Sequence, residues 1–168
     1  MINRVNAWSV IPKHECDPIW DRFYANFFFR PSISSFPAII EPVPSVTYSI
    51  ATAFASPGDP DHITDDLDDA ALRVFSTIAE PSGRVIALDW QHDCYYFEPS
   101  LYDGRWVIPA LPNGDYYIFV SDDMADGWFG HPWEQTICVF GRRAISSLEL
   151  ALPRLFTLPV RRDGQPVT

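Results

Sequence analysis

Positive charge is scarce in this chain. Twelve basic residues, all arginine except Lys13, face 22 acidic ones, for a net charge of -10 over 168 residues. Such a surface repels phosphate backbones and anionic headgroups, which excludes nucleic acid and an anionic membrane face as partners. A basic protein would instead be steered toward it. Cysteine is also sparse. Cys16, Cys94 and Cys138 are odd in number, widely spaced and form no Cys-x-x-Cys. Cys94 and Cys138 sit in apolar strand-like runs and read as buried thiols acting as small hydrophobes, which suits a reducing compartment. No apolar run approaches the roughly 20 residues that span a bilayer. Residues 1–13 lack the charged and apolar regions of a secretory signal, so the expected location is cytoplasmic.

Catalytic patterns with known mechanics are missing too. There is no Gly-x-Ser-x-Gly, no Ser-x-x-Lys, no phosphate-binding glycine loop and no dinucleotide fingerprint. The acidic segments do not follow the ladder of an EF-hand, and there is no His-Glu-x-x-His. The sequence therefore assigns no metal and no cofactor.

What is present is apolar and aromatic. Hydrophobic residues make up 47% of the chain and aromatics 15%, enough for a buried core without disulfides. One domain is expected over residues 1–152, with a partly disordered tail over residues 153–168. Asp17 and Pro18 suit a helix start, and Ile19, Trp20, Phe23 and Phe27 recur at helical spacing toward residue 28. Residues 31–44 are punctuated by proline, and residues 46–52 alternate as a half-buried strand does. A turn over residues 59–62 precedes a second helix, residues 64–79, with Leu67, Ala71, Val74, Phe75 and Ile78 as its buried stripe. Residues 85–90 and 94–97 form a hairpin around Gln91-His92-Asp93, and residues 106–108 a short strand. Residues 115–121 and 136–140 are the strongest strands, and residues 142–150 a last helix. Short links between neighbouring strands favour antiparallel pairing. The expected class is α+β: a single antiparallel sheet of about five strands, with two to three helices on one face or end.

Four segments carry a family likeness: Pro44-Ser45-Val46-Thr47-Tyr48-Ser49-Ile50, Leu88-Asp89-Trp90-Gln91-His92, Pro112-Asn113-Gly114-Asp115-Tyr116-Tyr117 and Gly130-His131-Pro132-Trp133-Glu134. In this order the chain resembles the bacterial family called domain of unknown function 2716, over residues 20–140. The resemblance implies no activity that could be placed on these residues. In size, acidity and class the chain is also similar to many immunity proteins of bacterial toxin systems, a likeness of architecture only.

Three groups of residues could carry function. Residues 121–135 read as an acidic loop between the two strongest strands, holding Asp122, Asp123, Asp126, Trp128, His131, Trp133 and Glu134. Loops held by rigid strands are favoured places for binding groups. The leading reading is an immunity-like or regulatory binding module that presents this loop, with an exposed Trp128, to a basic protein partner. The plainer reading has Gly127 and Gly130 permitting a tight turn with aspartates in water. In the second reading His92 and His131 meet across strand ends beside Asp89 and Glu134, as a small hydrolase-like acid–base site. In the third, Trp128 and Trp133 flank a sugar or another small ligand. Asp61, His62 and the acids over residues 65–69 read as a helix N-terminus stabilised by its dipole, or as a further acidic patch.

Overall fold

The computed structural model describes residues 6–55 and 60–168, with side chains in the second stretch from Thr64 on. The side chains of Asp61 and His62, and Asp59 altogether, lie outside the described residues.

The chain opens with β1 (Trp8–Val10) and α1 (Lys13–Phe27), followed by β2 (Ser45–Ser49), the single turn α2 (Thr52–Ala55) and α3 (Pro60–Ile78). Strands β3 (Val85–Asp89) and β4 (Tyr95–Phe97) follow, then β5 (Tyr117–Val120), β6 (Gly127–His131) and β7 (Thr136–Phe140). Helix α4 (Arg142–Glu149) and the hairpin β8 (Pro159–Arg162) and β9 (Gln165–Pro166) close the chain. All strands join one sheet in the order β1-β4-β3-β5-β6-β7-β2-β8-β9, and every neighbouring pair is antiparallel.

Alternation along the central strands divides the core in two. Val85, Ala87, Phe119, Trp128, Ile137 and Val139 pack with Leu67, Ala71, Val74 and Phe75 of α3 and with Ala144 and Leu148 of α4. Ile86, Leu88, Ile118, Phe129 and Cys138 pack with Ile19, Phe23 and Phe27 of α1. Helices therefore cover both faces. Strands buried on both sides read as continuous apolar runs rather than alternating ones, as Tyr117–Val120 and Thr136–Phe140 do.

The expectation of about five strands with helices on one face or end is corrected, among the described residues, to nine strands, four helices and two covered faces. The missed strands are short, polar or glycine-bearing: β1, β6, β8 and β9. Strand β6 lies inside the stretch read as a loop, because Gly-Trp-Phe-Gly-His has weak strand propensity on its own. Its glycine is required by space. A Cβ on Gly127 would strike the Phe140 ring and come within 2.7 Å of the Phe119 carbonyl oxygen. Residues 106–108 form no strand, and the chain bends at 107 and 108. Helix α1 begins at Lys13, a turn before Asp17-Pro18, and ends where Phe28 turns left-handed at φ 51°. The stretch expected as a disordered tail instead buries Leu155 and Phe156 and adds β8 to the sheet beside β2.

Candidate functional site

A cleft of about 790 Å³ lies between α1, the β3–β4 turn and residues 107–108. Carboxylates of Asp17, Asp89 and Asp93 and the rings of Trp20, Tyr24 and Trp90 line it. Asp89 is fixed by its place at the end of β3, where it pairs with Tyr117 of β5. The chain then reverses. Gln91 adopts a left-handed φ of 66°, and the His92 amide donates to the Asp89 carbonyl at 3.0 Å. This turn carries the His92 ring back over Asp89, with Nδ1 3.1 Å from Asp89 Oδ1 and 3.6 Å from Asp115 Oδ2. Asp115, just ahead of β5, is steadied by the Tyr116 amide, which donates to Oδ1 at 2.8 Å. The Asp89 hydrogen bond raises the His92 pKa above the usual imidazole value, helped by the charges of Asp89 and Asp115. Burial pushes the Asp89 carboxyl up, and His92 partly opposes this.

Trp90 ties the cleft wall together. Its indole donates to the Tyr24 hydroxyl at 3.1 Å, and its ring meets Tyr116 edge-on at 5.7 Å. Cys16 and Cys94 also line the cleft and are both buried. Burial pushes the Cys94 thiol up to about 12, so it is no thiolate nucleophile at neutral pH.

His131 lies on the other side of Tyr116 and is fully buried. Its ring contacts Tyr116 at 4.8 Å and Phe36 at 4.9 Å. The Glu134 amide donates to its Nδ1 at 3.1 Å, which places the proton on Nε2, a nitrogen with no hydrogen-bond partner. Burial lowers its pKa to about 4, so it is neutral at pH 7. Glu134 instead faces Arg161, which donates to it at 2.7 and 2.9 Å and to Glu41 at 2.6 Å. Burial works against the charged form of Glu134. Hydrogen bonds from Arg161 and Thr136 outweigh it and hold the carboxyl below its usual range. The four groups of the hydrolase-like reading are therefore split. Asp89 and His92 share the cleft, whereas His131 and Glu134 belong to a buried polar and aromatic cluster.

The acidic loop is likewise redistributed. Asp126 is buried, and its carboxylate takes the amides of Arg143 and Ala144 at 3.0 and 3.1 Å and Arg143 Nε at 3.0 Å. Asp123 accepts from Ser121 Oγ at 2.7 Å and from the Ala125 amide at 3.1 Å, and these bonds hold its carboxyl below the ordinary value. Trp128 is not exposed: it is a core residue whose indole donates to the Ala110 carbonyl at 3.1 Å. It forms no clamp with Trp133, which is 41% exposed. Asp122, Asp123 and Trp133 are the exposed ones of the seven loop residues. In the acidic run of α3, Asp66 accepts from Arg154 at 2.9 and 3.2 Å. Asp68 is pushed up to about 6 by burial and by Asp65 and Asp69.

Sequence reasoning missed Asp115, Tyr116, Glu41 and Arg161. Asp115 and Tyr116 had a local signal, since they follow the Asn113-Gly114 turn that ends beside the β3 strand end. Arg161 had none, because its two partners are distant in sequence.

No helix among the described residues is long and apolar enough to cross a membrane. No solved structure matches the chain. It is similar to the uncharacterized protein YxiI of Bacillus subtilis (strain 168), with 32% identity over 157 residues, 89% of this chain and 96% of that protein. The family model described as Protein of unknown function (DUF2716) matches residues 10–145. The chain accordingly belongs to the DUF2716 family.

Proposed function

We propose that this protein is a binding module whose cleft receives a basic group of a protein partner. One observation carries the reading: Asp89 and Asp93 line the same cleft as Trp20, Tyr24 and Trp90, beside Asp17, which Lys13 pairs at 3.1 Å. Carboxylates give a guanidinium or ammonium group charge-assisted hydrogen bonds, and aromatic faces attract it through their quadrupoles. The net charge of -10 steers such a partner at long range. The binding face moves in this reading from the 121–135 stretch to the cleft, since Asp126 and Glu134 are engaged within the fold and Trp128 belongs to the core. An immunity-like or regulatory role is the form of this reading that suits an acidic chain whose cleft would take a basic group of a protein partner.

The test is titration of tag-free protein with a tetra-arginine peptide and with its neutral isostere, tetra-citrulline, followed by tryptophan fluorescence. The arginine peptide binds, weakens as salt rises, and loses affinity in the double variant Asp89→Asn with Trp20→Ala. Equal affinity for both peptides, or no change in the double variant, would overturn the reading.

A further inference from the structure

Among the described residues, one ligand atom each from Asp89, His92 and Asp115 lie together within 4.8 Å. This is more than a patch of carboxylates, because an imidazole nitrogen stands between two carboxylate oxygens. The two edges that meet at Nδ1 measure 3.1 and 3.6 Å. Donor atoms around a tetrahedral centre with bonds of about 2.0–2.1 Å stand about 3.3 Å apart; the two edges at Nδ1 are close to that length, and the third lies within 4.8 Å. The three side chains are also held from different sides. Asp89 is fixed at the β3 end, His92 by the turn that closes on the Asp89 carbonyl, and Asp115 by the Tyr116 amide on Oδ1, with Oδ2 toward His92. The Asp89 and Asp115 side chains are 24% and 18% exposed, so their like charges are only partly relieved by water.

We infer that Asp89, His92 and Asp115 form a binding site for a divalent first-row cation of the zinc class, with water completing the shell. Neutral imidazole and carboxylate are suitable ligands for such an ion. Binding requires the His92 Nδ1 proton to leave to solvent, and the nitrogen lone pair then bonds the metal. The inference rests on the reading of the cleft as a seat for positive charge, and it makes the metal ion and a partner's basic group competitors for Asp89.

Tag-free protein, first dialysed against a chelator, is titrated with Zn²⁺ by calorimetry and with Co²⁺ by visible absorption. One equivalent of Zn²⁺ binds, and Co²⁺ develops the intense d–d bands of a low-coordinate site. His92→Ala and Asp115→Asn each weaken Zn²⁺ more than about tenfold, while Asp122→Asn, in the surface turn, matches wild type. Circular dichroism of each variant verifies the fold. Absence of Zn²⁺ binding at millimolar concentration, or equal affinity in wild type and both variants, overturns the site. Loss of tetra-arginine discrimination with Zn²⁺ binding intact counts against the partner reading alone. Tetra-arginine binding without Zn²⁺ binding counts against the metal alone.

Discussion

Arg161 joins two acidic residues that the chain keeps from water. Its side chain is 14% exposed, and it donates to Glu41 and Glu134 at once. Glu41 also accepts from the Thr47 hydroxyl, so the network ties the 41–47 segment, the β6–β7 turn and β8 together. Removing one partner of a buried ion pair leaves the others uncompensated, typically for about 3–5 kcal/mol. Arg161→Met should therefore lower the urea midpoint sharply. Adding Glu41→Gln and Glu134→Gln to that variant should restore part of the loss. Arg161→Lys should not restore it, because a point charge cannot fork to two carboxylates. His131 makes a separate pH prediction. Its folded pKa of about 4 lies below the ordinary 6.5, so the unfolded chain binds a proton that the folded chain refuses. Its contribution to stability is present above pH 6.5 and is lost as pH falls toward 4, a change of about 3 kcal/mol. Urea unfolding at pH 7 and pH 5 should show a steeper acid loss for wild type than for His131→Phe, which cannot titrate. The sequence puts His131 and Glu134 close together, since only two positions intervene. It could not show that the pair faces inward, because the residue that decides this, Arg161, comes from the far end of the chain.

At the scale of elements, α4 shows how a loop acid becomes a helix cap. Gly141 precedes the helix with a φ of 93°, and no side chain of its own segment caps the first amides. Asp126, from the β5–β6 turn, supplies the missing acceptor to Arg143 and Ala144. Asp126→Ala should cost about 2 kcal/mol through the lost cap and the stranded Arg143. Asp126→Asn, which keeps one carbonyl oxygen, should cost less. Gly141→Ala should be comparably harmful, because an added Cβ meets the Asp126 carboxylate and comes within 2.5 Å of the Ala125 carbonyl oxygen. Thermal melts of the three variants test this order, and a neutral Asp126→Ala would remove the cap from the account. The same helix separates what was legible from what was not. The 142–150 stretch reads correctly as helical, and the stripe from Leu67 to Ile78 is buried as its spacing predicts. The cap was invisible, because a backbone amide leaves no mark in sequence and Asp126 looks like any solvent-facing acid in a glycine-rich stretch. Strand β6 was lost for a related reason. Its Trp128 and Phe129 face opposite cores, and glycines at both Gly127 and Gly130 erase the pattern that would announce a strand.

At the scale of the molecule, the sheet is assembled from both ends of the chain, and this is why its size was underestimated. β1 closes one edge and β8–β9 the other, yet each is too short or too charged to register as a strand without its neighbour. Sequence periodicity reports a residue's surroundings only where the element is long enough to repeat, so the central strands were legible and the rims were not. The rim is nonetheless structural. Phe156 stacks on Tyr48 at 4.5 Å and lies 5.8 Å from Trp128, and β8 covers the edge of β2 that would otherwise be open. A chain ending at Leu152 would lose this packing, bare the β2 edge and leave Glu41 and Glu134 without their arginine. Unpaired edges template association, so that chain should aggregate or stay unfolded by circular dichroism and gel filtration. A chain ending at Gly164 keeps Arg161 and the Asp163 carboxylate that accepts from the Ser45 amide. It gives up the β9 pairing and the Val167 amide's bond to the Val160 carbonyl, and should melt within a few degrees of the full protein. Equal folding of the two truncations would mean that the sheet closes without its C-terminal hairpin. A folded longer chain beside an unfolded shorter one places the limit of the cooperative unit past β8.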